Sequence, residues 1–283
     1  MPPATDADLR LARSAVIAAG RPIMRAFRSD PDVRYKGPDQ PVTDADLQAD
    51  ALLRDRLLGE RPGDGWLSEE TEDDPTRLDG DRVWIVDPID GTRSFIAGYR
   101  EFAVSVGLAV RGRVVLGVLF NPALAEILWA TEGGGAFRAR ERSGGGSRGE
   151  RIRAGPPRAG ERPVLLASRS EIERGEFEPL RADWEVRPLG STAWKLAGTA
   201  SGLGHAYISR GPKSEWDVAA GALIVTEAGG QVTDLDGRAL QFNRPDPRVR
   251  GVVAGPPALH RRLLEKAREL PAPRLRTGGR KET

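Results

Sequence analysis

Four apolar runs between Val83 and Ala130 constrain the fold of this 283-residue chain more than any other feature. VWIV, FAVSVGLAV, VVLGVLF and EILWA are short and rich in β-branched residues, and RGR and NP separate the last three as turns. Those three read as an antiparallel meander. A sheet of this kind has to be covered by other layers. Two helices precede it. The first, Asp6 to Phe27, places Leu9, Ala12, Val16, Ile17, Ile23, Met24 and Phe27 near the helical period, with Thr5 as cap. The second opens in PVTDADLQADALLRDRLL, capped by Thr43, with Leu47, Leu52, Leu53 and Leu57 on its apolar face. Between the helices, RYKGPDQP reads as a polar turn.

After the meander, the glycine-rich run GGGSRGERIRAGPPRAG breaks all periodicity and reads as a loop or a junction. Strands and helices then alternate. VLLAS, WEVRPL, HAYIS, GQVTDL and GVVAG read as strands. The stretch near EIERGEFEPL, together with STAWKLAGTASG, WDVAAGALIVTEAGG and PALHRRLLEKAREL, reads as helices. The expectation is a layered α/β chain in two parts forming one compact unit. Residues 1–150 form the first part and residues 151–283, which include Asp217, the second.

Composition narrows the chemistry. With no cysteine there is no disulfide, thiolate nucleophile or cysteine-ligated metal, which fits a reducing cytoplasm. Two histidines, His205 and His260, leave little for a histidine-built metal site or a serine-histidine triad. Hard cations bound through oxygen remain. The 43 basic and 41 acidic residues make a mixed surface, which argues against nucleic acid as a partner. The pI near 9.1 owes much to loops and to the basic tail RLRTGGRKET. No apolar run is long enough to span a membrane, and MPPATDADLRLARSAV has acids where a signal peptide has bases. A soluble cytoplasmic protein is expected.

Acidic residues collect at element boundaries: Asp46, the Glu69/Glu70 pair in LSEE, Asp87 and Asp90, and Asp217 in EWDVAAG. Most have an ordinary reading. Asp46 completes a capping box with Thr43, Glu69 and Glu70 belong to an acidic solvated loop, and Asp217 suits a helix start. The stretch DPIDGT is different. Two carboxylates flank Pro88 and Ile89 where a core strand ends, and charge at such a place is costly unless something positive lies between them. Gly91 and Thr92 then open a helical turn whose free N–H groups can meet phosphate oxygens. Carboxylates beside such donors suit divalent ions on one side and phosphate on the other.

DPIDGTRSF, with LSEE before it and WDVAAGALIVTEAGG after it, resembles the inositol monophosphatase family of magnesium-dependent, lithium-sensitive phosphomonoesterases. The likeness runs in order from about Lys36 to Ala254. It implies an αβαβα sandwich, commonly a homodimer, with two or three Mg²⁺ per site, Mn²⁺ as a substitute and Li⁺ as an inhibitor. Carried over residue by residue, it puts Glu69, Asp87 and the Ile89 carbonyl on one ion and Asp87, Asp90 and Asp217 on a second. Thr92, bonded to Asp46, would orient and help deprotonate the attacking water, while the Gly91 and Thr92 N–H groups hold the phosphate.

Within that family the inositol-specific members carry a glutamate seven positions before the aspartate of WD, where this chain has Arg210. SRGPKSEWD looks more like the CysQ-type bisphosphate nucleotidases, which act on 3′-phosphoadenosine 5′-phosphate. On that resemblance Lys36, Arg210 and Lys213 are the expected substrate contacts. Inositol 1-phosphate, another sugar phosphate such as fructose 1,6-bisphosphate, and a non-enzymatic role in binding metal and phosphate stay open as alternatives.

Overall fold

The computed structural model describes residues 4–29, 32–37, 40–141 and 148–270, so the tail RLRTGGRKET and the start of the glycine-rich run lie outside it. Helix α1 (Asp6–Phe27) starts where its sequence places it. Thr5 Oγ1 accepts from the Asp8 amide at 3.2 Å, and the Asp8 carboxylate accepts from the Thr5 amide at 2.9 Å. The polar turn read in RYKGPDQP is instead a hairpin, β1 (Val33–Gly37) with β2 (Gln40–Thr43). Strand β1 is mostly exposed and only the end of β2 is buried, so no apolar alternation marked the hairpin. Helix α2 (Asp44–Glu60) follows.

The expected meander is the centre of a seven-stranded sheet. Strand β3 (Gly65–Ser68) runs parallel to β4 (Arg82–Asp90). After helix α3 (Thr92–Ile96), the strands β5 (Ala103–Val110), β6 (Arg113–Asn121), β7 (Glu126–Thr131), β8 (Gly135–Arg140) and β9 (Glu150–Arg151) join in sequence order, each antiparallel to the last.

The alternating half follows as β10 (Val164–Ala167), α4 (Arg169–Glu173), β11 (Glu185–Pro188), α5 (Thr192–Ser201), β12 (Ala206–Ser209), β13 (Lys213–Ser214), α6 (Glu215–Glu227), β14 (Gln231–Thr233), β15 (Arg248–Val249), β16 (Val252–Gly255) and α7 (Pro257–Glu269). Five of its strands form a mixed sheet in the order β11-β10-β12-β16-β14. The helix expected through EIERGEFEPL is only α4. Gly175, with φ 72°, closes it, and Glu178–Leu180 make one 3₁₀ turn.

Alternation along the strands sorts side chains into layers. Trp84, Val86, Val104 and Val106 face α1 and α2, meeting Ala12, Val16, Ala49 and Leu53. Val83, Ile85, Leu119 and Leu128 face the other way, onto Trp194 and Leu196 of α5 and Ala219 and Ile224 of α6. Those helices rest in turn on Leu166, Tyr207 and Ala254 of the second sheet. The far face of that sheet, Leu165, Ala167, Ile208 and Val253, packs with Leu263 of α7 and with Phe177 and Trp184. The result is the αβαβα sandwich. Gly117 of β6 lets α6 dock closely, since a Cβ there would lie 2.6 Å from the Ala220 carbonyl oxygen. That docking fixes the α6 N-terminus, and with it Asp217.

Candidate active site

Strand β4 is buried from Val83 to Asp90, and its register with β5 slips between Asp87 and Asp90. Such a bulge re-aims side chains at the strand end. The Ile89 amide donates to Asp87 Oδ1 at 3.0 Å. Gly91 then turns the chain at φ 101°, where a Cβ would sit 2.9 Å from the Glu101 carbonyl oxygen, so glycine is required twice over. Helix α3 begins at the next residue.

Two other elements bring carboxylates to this point. At the end of β3, Ser68 Oγ donates to Asp50 of α2, and Thr71 Oγ1 donates to the other Asp50 oxygen at 2.5 Å. The Glu69 amide between them donates to the Val86 carbonyl at 3.3 Å, which sets Glu69 beside β4. Asp217 lies in the first turn of α6, its Oδ2 accepting from the Ser214 amide at 3.0 Å. One carboxylate oxygen from each of Glu69, Asp87 and Asp217 lies within 4.8 Å of the others.

Burial and mutual repulsion disturb all three. Burial first, then Asp217, pushes Glu69 up to about 8. Burial and Asp90 push Asp217 up to about 7. Asp87 rises well above the carboxylate range through burial, Glu69 and Asp90. Asp87 Oδ2 is also buried with no hydrogen-bond partner among the described residues. An orphaned buried oxygen beside two more carboxylates fits a hard divalent ion with oxygen donors.

Asp90, expected to share the second ion, is tied to helix α5. Its Oδ2 accepts from the Ser191 hydroxyl and from the Ala193 amide at 2.5 Å. Ser191 itself holds φ 60°, a strained value for a residue with a side chain, and caps α5 by accepting from the Trp194 amide at 2.8 Å. Asp46 has both its ordinary and its functional place. Oδ2 accepts from the Thr43 amide at 2.8 Å in the capping box, while Oδ1 lies 3.4 Å from Thr92 Oγ1. That hydroxyl is also 3.1 Å from the Ile89 carbonyl. Burial raises the Asp46 pKa.

Glu69, Asp87, Asp90, Thr92, Ser191 and Asp217 line a cleft of about 530 Å³ that also holds Tyr99, Arg169, Lys195 and Lys213. Lys36, expected as a substrate contact, is not among the residues lining the cleft; it donates to Glu70 Oε2 at 2.8 Å and lies 3.5 Å from Glu69 Oε1, so it braces the acidic loop. Arg210 is not brought into the cleft. It is half-buried, and its Nη2 donates to the Leu270 carbonyl at 3.3 Å. Sequence reasoning missed Ser191, Asp50 and Lys195. Ser191 carried a signal, as a cap directly before a helix. Lys195, buried in α5 and lowered to about 8 chiefly by burial, looks in sequence like any helical lysine.

The family model described as "Inositol monophosphatase family" matches residues 5–272. An inositol-1-monophosphatase of Rhizobium meliloti is 35% identical over 244 residues, covering 83% of this chain and 88% of that one. The 3′(2′),5′-bisphosphate nucleotidase CysQ of Salmonella typhimurium is 33% identical over 231 residues, covering 79% and 89%. Among solved structures, the extragenic suppressor protein suhB of Bartonella henselae superposes with a TM-score of 0.79 at 31% identity, covering 92% of this chain and 98% of that one. Fold, acidic cluster and relatives agree, and the chain belongs to the inositol monophosphatase family of metal-dependent phosphatases.

Proposed function

We propose that this chain is a magnesium-dependent 3′(2′),5′-bisphosphate nucleotidase that releases the 3′-phosphate of 3′-phosphoadenosine 5′-phosphate. The observation that carries this reading is positive charge on the cleft wall. Lys213 lines the same cleft as the carboxylates, beside Arg169, which is already paired with Glu101, and the buried Lys195, so the wall offers a cationic side chain in addition to the N–H cradle for the reacting phosphate. The likeness to the CysQ relative supports it.

Glu69, Asp87 and the Ile89 carbonyl would hold one divalent ion, and Asp87, Asp90 and Asp217 a second. When bound, such ions polarise the phosphate and make water a nucleophile at neutral pH. With its O–H turned to Asp46, 3.4 Å away, rather than to the Ile89 carbonyl, the Thr92 hydroxyl oxygen would be free to accept from the attacking water. Asp46, its pKa raised by burial, is suited to take up the proton that water gives up. The Gly91 and Thr92 N–H groups would face the phosphate as its new P–O bond forms and the ester bond to the sugar oxygen breaks, the departing oxygen taking a proton from solvent water. The ligands come from the 1–150 part, with Asp217 from the 151–283 part. We further propose a lithium-sensitive homodimer.

Inositol 1-phosphate is the second reading. It is favoured by the placement of Arg210, which lies outside the cleft and does not serve there as the expected partner of a second phosphate. Phosphate release from both compounds and from fructose 1,6-bisphosphate, side by side with Mg²⁺, tests the choice. The nucleotidase reading expects the highest kcat/KM on the bisphosphate nucleotide, and a preference for inositol 1-phosphate overturns it.

A further inference from the structure

One wall of the cleft carries a group that the chemistry of phosphate release does not use. Tyr99 follows α3 and lines the cleft, yet the residue is 48% exposed. The guanidinium of Arg169, from the first turn of α4, lies over the Tyr99 ring at 4.5 Å from its centroid. Arg169 is not free to wander. Both its terminal nitrogens meet the Glu101 carboxylate, Nη2 at 2.8 Å from Oε1, and Glu101 Oε2 also accepts from the Gly190 amide at 2.6 Å. Glu101 precedes β5 of the first sheet, whereas Arg169 and Gly190 belong to the second half, so the bracket joins both sides of the cleft.

A planar ring backed by a planar cation and open to a cleft is a surface for another flat π-system. Its partners are already ordered, so a ligand that stacks on it incurs little further loss of side-chain freedom. Tyr99 and the phosphate cradle at Gly91 and Thr92 line one and the same cleft, so a ligand whose phosphate sits on the cradle shares that cleft with the ring. We infer that Tyr99, held by Arg169 and Glu101, is the stacking platform for the base of a nucleoside phosphate, and so a specificity-determining residue. This rests on the proposed nucleotidase reading and extends it to the leaving group.

The test compares wild type, Tyr99→Leu and Tyr99→Phe on 3′-phosphoadenosine 5′-phosphate and inositol 1-phosphate. Losing a base–aromatic stack should lower the nucleotide-to-inositol ratio of kcat/KM about tenfold in Tyr99→Leu, through KM, while Tyr99→Phe keeps the ratio. An unchanged ratio, or an equal fall with Phe, overturns the platform. Calorimetric titration of the same three proteins with adenosine 5′-monophosphate separates this from the substrate reading. If wild type does not turn over the bisphosphate, the nucleotidase reading fails. The platform then stands only if adenosine 5′-monophosphate binds wild type and Tyr99→Phe but about tenfold more weakly to Tyr99→Leu, and absent or equal binding overturns it.

Discussion

At the level of single residues, the site rests on side chains that serve two purposes at once. Asp46 caps α2 with one oxygen and faces Thr92 with the other, and Asp217 caps α6 while facing Asp87 and Glu69. That is why their sequence context looked so ordinary: a capping box and a catalytic carboxylate have the same spelling. DPIDGT was legible because nothing in the surrounding sequence explains two aspartates at the end of a core strand. Lys195 and Tyr99 were not legible, since their placement depends on which helix face and which loop the tertiary fold turns toward the cleft. If Thr92 handles the attacking water, Thr92→Val should lower kcat by about 10²-fold or more with KM within a few-fold, as for a general-base contribution. Steady-state kinetics decides. A rise in KM with kcat intact would make Thr92 a phosphate contact only.

Among the elements, those with a strong apolar period were readable and those defined by pairing were not. The valine-rich runs gave β4 to β7, and the capped amphipathic runs gave α1 and α2 with matching starts. β1, β2, β3 and β8 escaped because they carry little apolar pattern of their own: β1 is mostly exposed, β2 and β3 have four residues each, and β8 reads GAFRAR. Helix α6 is buried against both sheets, so its apolar residues mark no single face. Its position depends on a glycine contact. Gly117→Val should push β6 and α6 apart, costing about 1–3 kcal/mol as overpacking does, and should shift Asp217 enough to weaken divalent-ion binding. Thermal unfolding and a Mn²⁺ titration read both effects, and an unchanged titration would mean that Asp217 is held independently of that contact.

In the whole molecule, the buried carboxylates couple stability to pH and to ions. Glu69 near 8 and Asp217 near 7 hold their protons more tightly in the folded chain than in the unfolded one. Their contribution to stability is therefore full below about pH 4 and lost as pH rises through 7 to 8. In chelator, the melting temperature should fall between pH 5 and 8, and Mg²⁺ should restore it most at the alkaline end, by about 2.7 kcal/mol at a hundredfold excess over Kd. A melting temperature flat with pH and indifferent to ions would contradict the cluster. Among the described residues, no helix is long and apolar enough to cross a membrane, as the sequence led one to expect.

The central claim is that Glu69, Asp87 and Asp217 hold the divalent ions that phosphate release depends on. Phosphate release by exhaustively chelated protein, measured as Mg²⁺ is returned, tests it most directly in wild type, Asp87→Asn and Asp217→Asn. Wild type should start inactive and recover with added ion. Both variants should stay inactive at every concentration, while their ion-free forms melt no lower than wild type because a repelling charge has gone. Full turnover by chelated wild type, or wild-type recovery in both variants, would contradict the account.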